Sequence, residues 1–374
     1  MATPGRALFI DPMTRHFEQD RLFEPRASGR SGENNLVPWV FLRDYLGSRG
    51  VPVHTVDLLE SGQVPPAEKN VYVSLGIRHR YARLARRPNF VLSGFFALEC
   101  PIVEPRLYQD LDEASSAFKR VFSISTAESL RPFLREPLNV SSVRLPQPQN
   151  AVHDEHWHRN GRKFLTIINA NKLPRLYVRE LYTERLRAVE YFNRRGEIDL
   201  YGVGWDEPPV RVGQTRVPGT VRRLERLART RWERRRPPGD PLRVAAREAY
   251  RGSVASKAET LAGYTFAICF ENMVLEGWIT EKIFDCLLVG TVPIYLGAPD
   301  IDKWVPPECF VDMRQFRDYD ELRNYLVSLR PDEIEAFREA GRDYLQSDRF
   351  RPFTKEAFAE LMARIVVEDT GAPL

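Results

Sequence analysis

The sequence predicts an α/β protein built from two doubly wound domains with parallel sheets. Three observations lead there. Short apolar runs of strand length alternate with amphipathic stretches of helical spacing, once over residues 7–124 and again from Lys163 onward. The chain has 374 residues, too many for one hydrophobic core of ordinary size. Between the two series, residues 144–160 are polar, carry Pro146 and Pro148 and three histidines, and have no clean periodicity, so they read as an interdomain linker. The expected division is a first domain over 1–150, a second over 161–345, and a closing helix within 346–374. Two domains of this kind face each other across a cleft, and their ligands bind beyond the carboxyl ends of the strands.

The first series opens with a buried strand at 7–10 that turns at Asp11-Pro12. Residues 24–34 are rich in Gly, Ser, Arg and Asn and read as a loop. Val40, Phe41, Tyr45 and Leu46 stand at helical spacing within 37–48, and Gly50 stops that helix. Further strands are expected at 51–56, 70–75, 90–92 and 121–124. In the second series, 164–168 is a strand and 176–192 is an amphipathic helix with Leu181, Leu186 and Val189 on one side. A strand at 198–201 ends at Gly202. The rhythm then breaks over an insertion at about 205–245. There, between Pro208-Pro209 and Pro237-Pro238, the run from Arg222 to Arg236 holds eight Arg against Glu225 and Glu233. Such a run is either a solvated helix face or a contact for a polyanion, a membrane surface or an acidic acceptor. Regular structure returns with a strand at 264–270, a helix at 280–288, a strand at 292–295, and closing helices at 320–329, 331–340 and 355–367.

Composition narrows the function classes. A net charge of +4, from 55 basic and 51 acidic residues, does not argue for nucleic acid. Cys100, Cys269, Cys286 and Cys309 form no C-x-x-C pair and read as reduced, buried core residues. The N-terminal apolar run is too short for a signal peptide and is interrupted by Asp11. No stretch reaches the roughly 18 apolar residues of a membrane span. A cytoplasmic protein is the expectation.

Residues 264–299 carry the most chemistry. A buried strand ends in the polar pair Glu271-Asn272, and a loop with Gly277 follows. Thr280 is an N-cap type at the head of the next helix, Lys282 sits in its first turn, and Glu281 is placed to accept from a ribose hydroxyl. Strand, polar loop, capped helix and first-turn Lys form a cradle suited to a nucleotide diphosphate. It is neither a Walker A loop nor a G-x-G-x-x-G turn. The plainer alternative is an ordinary strand–helix joint with solvated charges.

This segment resembles the signature of the α-1,3/4-fucosyltransferase family, glycosyltransferase family 10, in its bacterial soluble type. The match runs through Phe270-Glu271-Asn272, then Gly277-Trp278-Ile279-Thr280-Glu281-Lys282-Ile283, then Gly290-Thr291-Val292-Pro293-Ile294-Tyr295-Leu296-Gly297-Ala298-Pro299. Two residues depart from the pattern: Met273 stands where Ser is usual, and Trp278 where Tyr is usual. Trp keeps an aromatic face for stacking but changes the hydrogen-bonding atom. The resemblance extends more weakly upstream, to Val254-Ala255-Ser256-Lys257, to Asn169-Ala170-Asn171, and to Glu184-Arg185-Leu186.

The resemblance implies the GT-B arrangement of two facing Rossmann-like domains, acceptor half first and nucleotide half second. It also implies inverting transfer of fucose from GDP-fucose, or a related nucleotide sugar, to a hydroxyl of a carbohydrate or other acceptor. Such a reaction would serve protein glycosylation or polysaccharide modification. Arg185 is the expected diphosphate ligand, with Arg175 and Arg179 as rivals. Asn272, Trp278, Glu281, Lys282 and Lys257 complete the donor set. Phe95-Phe96-Ala97-Leu98-Glu99-Cys100-Pro101 resembles the family's E-x-P element, whose Glu is the general base. Glu99 therefore takes that role, ahead of Glu104, Asp110 and Asp112. An acid at the end of an apolar strand is partly desolvated, which suits a base. No cofactor beyond the GDP-sugar co-substrate is expected. No metal is needed, because Asp300-Ile301-Asp302 reads as a turn and helix cap. The rival readings are the same fold with another nucleotide-activated hexose and a small-molecule acceptor, and a non-catalytic binder of glycans or polyanions.

Overall fold

Six short strands form the first sheet: β1 (Arg6–Asp11), β2 (Val53–Thr55), β3 (Lys69–Ser74), β4 (Phe90–Ala97), β5 (Arg120–Ser123) and β6 (Ser141–Ser142). Their order is β2-β1-β3-β4-β5-β6 and every pairing is parallel. The computed structural model describes residues 4–24, 36–76, 80–109, 111–213 and 239–374, with Val221, Leu224, Leu227, Ala228 and Arg231 between the last two ranges. The basic run from Arg222 to Arg236 thus lies outside the described residues apart from four exposed helical positions, and Asp110 lies outside them too.

The chain forms two compact units. The first takes residues 1–101, 106–149 and 351–374; the second takes 102–105 and 150–350. In the first unit β1 is apolar on both sides, as a strand covered on both faces must be. One face is covered by the helix Val37–Gly47 and by the helix Lys355–Thr370. Leu8, Val71, Phe96, Leu42, Phe358 and Met362 share this core. Phe96 stacks on Phe122 at 4.5 Å, and Trp39 meets Phe358 edge-on at 5.2 Å. The last helix therefore completes the first sheet and does not close the second domain, a return across the chain that no local periodicity signals. It is fastened there by Arg120 and Lys119 on Asp369.

The second unit holds β7 (Lys163–Ile168), β8 (Lys172–Pro174), β9 (Ile198–Tyr201), β10 (Val210–Val212), β11 (Tyr264–Phe270), β12 (Val292–Leu296) and β13 (Val311–Asp312). The main sheet runs β13-β12-β11-β7-β9, all parallel, and β8 pairs with β10 apart from it. From β7 the chain first winds outward to β9, then returns to β11 on the other side. Winding reverses between β7 and β11, and the carboxyl ends of those strands form the crevice where doubly wound sheets bind ligands. The parallel, doubly wound α/β class is as expected.

Two expectations are corrected. The helix at 176–192 is only Tyr182–Asn193. Residues 179–180 are instead drawn out to pair with the loop after β11: Glu180 bridges Met273, and the amide of Val274 donates to the carbonyl of Arg179, whose φ is +51°. The expected linker is not loose at its second half. Asp154–Trp157 is a helical turn, Trp157 is buried, and half-buried Arg162 donates to the carbonyls of His156, Trp157 and Val289.

Candidate active site

β11 is buried at six of its seven positions, and the residue that follows it, Glu271, is 0% exposed. A carboxylate so placed must be hydrogen-bonded and paired to be tolerated. Glu271 is both. Its Oε1 accepts from the Thr280 amide at 2.8 Å, the Thr280 hydroxyl lies 2.9 Å from Oε2, and the Lys282 ammonium donates to Oε2 at 3.0 Å. The main chain of Glu271 is held by β12, its amide donating to the Leu296 carbonyl. Room for the side chain comes from Gly297, where a Cβ would stand 2.5 Å from Glu271 Cγ.

Thr280 occupies the N-cap position of the helix Glu281–Leu287, yet its hydroxyl makes no capping bond. This corrects the sequence expectation: the hydroxyl bonds the Glu271 carboxylate and accepts from Lys282 Nζ at 2.8 Å. The helix has only seven residues, so fixed side-chain charge, more than a long helix dipole, sets the local field.

The charges continue as an alternating chain. Lys282 lies 3.8 Å from Glu281, Glu281 lies 3.9 Å from Lys257, and Lys257 pairs with Asp285 at 3.0 Å. Burial pushes the Glu281 carboxyl up, but Lys282 and Lys257 outweigh it and hold the group down at about 2. Burial pulls the Lys282 ammonium down, while Glu271 and Glu281 reverse that and hold it above the ordinary lysine range. Burial wins at Asp285, which is raised despite Lys257. Lys282 at 24% side-chain exposure and Lys257 at 36% are the two cations that this chain of charges brings to the surface.

Arg185 enters from the first turn of the Tyr182–Asn193 helix. It is 4% exposed, donates twice to the carbonyl of Phe270 (2.7 and 3.1 Å) and once to Asn272 Oδ1 (3.1 Å), and lies 4.8 Å over the Tyr182 ring. It therefore ties the end of β11 to the helix after β7, and its charge is felt at Lys282. The Asn272 carbonyl accepts from the Leu181 amide.

Trp278 is 2% exposed, so its ring is enclosed and not presented for stacking. Its Nε1–H is buried and meets no acceptor among the described residues. The Tyr295 hydroxyl contacts the Trp278 carbonyl at 3.4 Å. Gly277, at φ +73°, donates its amide to Asp300 Oδ1 at 2.7 Å. Asp300 was expected to cap a helix; it fastens this turn instead, and its other oxygen accepts from Trp304. Met273 is fully buried, and all four cysteines are buried.

Arg185, Asn272, Trp278, Glu281, Lys282 and Lys257 thus gather around the carboxyl end of β11. Glu99 belongs to the first unit. It stands two residues beyond β4, is half-buried, accepts the Cys100 amide on Oε1 at 2.8 Å, and lends its carbonyl to the Tyr108 hydroxyl. Glu104 and Asp112 are half-buried. Sequence reasoning assigned no role to Glu271, Asp285 or Gly297. The usable signal for Glu271 was an acid directly after seven strand residues with no polar neighbour before it. Among the described residues, no three His, Cys, Asp or Glu side chains are grouped to hold a metal, and no helix is long and apolar enough to cross a membrane.

Residues 244–339 match the family model described as glycosyltransferase family 10 (fucosyltransferase) C-term. The chain is 40% identical over 77 residues to the α-(1,3)-fucosyltransferase FucT of Helicobacter pylori, covering 21% of this chain and 16% of that protein. It is 48% identical over 70 residues to the GDP-fucose protein O-fucosyltransferase 3 of Xenopus laevis, covering 18% and 15%. The matched stretch is thus about a sixth of the length of these relatives. In fold, the chain is similar to an α-glucosyltransferase solved with UDP-glucose and DNA containing an abasic site, at a TM-score of 0.55 and 11% identity over 96% of this chain and 99% of that one. The matched residues hold Lys257, Glu271, Asn272, Trp278, Glu281, Lys282 and Asp285, and over this segment the chain is similar to the C-terminal region of glycosyltransferase family 10, the fucosyltransferase family.

Proposed function

We propose that the protein transfers fucose from GDP-fucose to a hydroxyl of a carbohydrate or other acceptor, with inversion at the anomeric carbon. The observation that carries this reading is the fixed cluster of Lys282, Glu281, Lys257 and Arg185 at the switch point of the second sheet, inside or beside the segment that matches the family. In the reaction, the acceptor oxygen bonds to the anomeric carbon as the bond from that carbon to the β-phosphate oxygen breaks. The acceptor proton passes to the Glu99 carboxylate, and GDP leaves with the bonding electron pair. Negative charge grows on the departing diphosphate, and Lys282 and Arg185 oppose it. Because the charges are already oriented, little reorganisation is needed as the bond breaks. Asn272 and Glu281 orient the nucleotide, and no step is assigned to a metal.

A second reading keeps the fold and changes the sugar. It rests on Trp278 and Met273, both enclosed and both departing from the family pattern. The test is a product assay with GDP-fucose and other nucleotide hexoses against a panel of glycan acceptors. Fucosylated product supports the first reading; product from another nucleotide hexose alone replaces it with the second; no product from any donor removes both.

A further inference from the structure

Glu271 takes no part in the scheme above, yet its carboxylate is fully enclosed and held by an amide, a hydroxyl and an ammonium. We propose that Glu271 is the positioning residue for the reaction: it holds the Lys282 ammonium in one place and one orientation and does not itself touch the nucleotide sugar. The proposal rests on the reading in which Lys282 meets the diphosphate.

Geometry supports this in three ways. First, Glu271 has no freedom. Its carboxylate is 0% exposed, its amide is bonded to Leu296, and Gly297 is packed against its Cβ and Cγ at distances that any larger residue would violate. Second, Glu271, Thr280 and Lys282 form a closed ring of bonds. The Thr280 hydroxyl has one proton, which goes to the carboxylate, so its lone pair is left to accept from Lys282 at 2.8 Å. The ammonium has three N–H groups. Glu271 takes one at 3.0 Å and Thr280 takes a second, which leaves the third aimed by the other two. Lysine otherwise swings on a flexible four-carbon stem and binds anions as a loosely held point charge. Third, burial alone would favour losing the lysine proton, and the Glu271 charge keeps the group cationic. Glu271 therefore supplies orientation and charge state together, through Lys282.

The test compares wild type, E271Q, E271D, K282A and the E271Q/K282A pair, with kcat and KM for GDP-fucose measured separately. A misplacement of about 1 Å in a reacting site reduces rate by about 100-fold. E271Q is therefore expected to lower kcat by about that factor while KM for the donor changes much less. E271D keeps the charge and should recover part of the loss. The double variant should be no slower than K282A alone, because nothing remains to be positioned. An E271Q protein with wild-type kcat, or losses that multiply in the double variant, overturns the proposal. If E271Q fails to fold, E271D carries the test: a partial kcat loss supports the role and an unchanged kcat overturns it. A wild-type protein that binds no GDP-fucose by calorimetry overturns the donor reading instead. Lysine side-chain nitrogen NMR separates the two failures without any turnover: the Lys282 signal should titrate at lower pH in E271Q than in wild type, and an unmoved titration counts against the positioning role alone.

Discussion

Glu99 and Glu271 begin from the same sequence pattern and finish in opposite states. Each follows a buried apolar strand, β4 in one unit and β11 in the other. Glu99 is half-buried and its Oε1 takes the amide of the next residue. Glu271 is wholly enclosed and takes an amide, a hydroxyl and an ammonium. The difference lies in what comes next in the chain. After Glu99, Pro101 and a short turn lead away from the strand. After Glu271, the loop folds back so that Thr280 and Lys282 cover the carboxylate, and Gly297 leaves space for it. A strand-end acid that stays reachable can take up a proton. One that is sealed by three donors is out of reach of an acceptor and serves its neighbours.

The largest effect should fall on the reachable acid. E99Q is expected to lower turnover by about 10²–10⁴ with nucleotide affinity nearly kept, by steady-state kinetics and calorimetry. Unchanged turnover breaks the contrast, because neither acid would then handle the proton. Next comes the partner of the sealed acid. K282A should lower turnover by about 10²–10³ and weaken GDP binding, as for removal of one preorganised donor. Equal GDP affinity would mean that the cluster faces no diphosphate. The seal itself is tested by G297A. Its Cβ would press on Glu271 Cγ at 2.5 Å and on the Tyr295 hydroxyl at 2.7 Å. Overpacking of this kind costs about 1–3 kcal/mol, read as a fall of several degrees in Tm. An unshifted Tm would mean that Glu271 has slack.

The smallest expected effect concerns acid stability. The folded Glu281 carboxyl sits at about 2, below its ordinary value of 4.5. Its contribution is therefore complete above the ordinary carboxylate range and disappears as pH falls through about 2. With the side chain about a third exposed, screening reduces this to the order of 1–2 kcal/mol. E281Q should flatten the acid limb of the stability–pH curve by that amount. An identical limb would place the pairing energy elsewhere in the chain of charges.

Much of this protein is legible from its residues. The strands β1, β3, β7, β9, β11 and β12 stand within a residue or two of the apolar runs that announce them, because strands covered on both faces need little else. Asn272, Trp278, Glu281 and Lys282 stand close together because they lie within one strand–loop–helix unit. What escaped depends on contacts distant in sequence. The stretch 176–181 has helical spacing, but it is pulled straight by Met273 and Val274, about a hundred residues away. Thr280 is a capping type, yet a buried carboxylate outcompetes its own helix for the hydroxyl. Trp278 is aromatic and was expected at a ligand face, but its ring fills the interior. β8, β10 and β13 span only two or three residues and leave no periodicity to detect.

The placement of Lys355–Thr370 on the first sheet has a consequence for biosynthesis. Lys69 and Arg6 bond main-chain carbonyls at Thr370 and Ala372, and Phe358 and Met362 fill the space beside Trp39 and Phe96. During translation, β1–β6 leave the ribosome long before those residues do. The nascent first sheet must wait with one face covered only by the helix Val37–Gly47, while the whole of 150–350 can settle before the second covering helix is made. Chaperone demand should therefore peak early in synthesis and end only with the arrival of that helix.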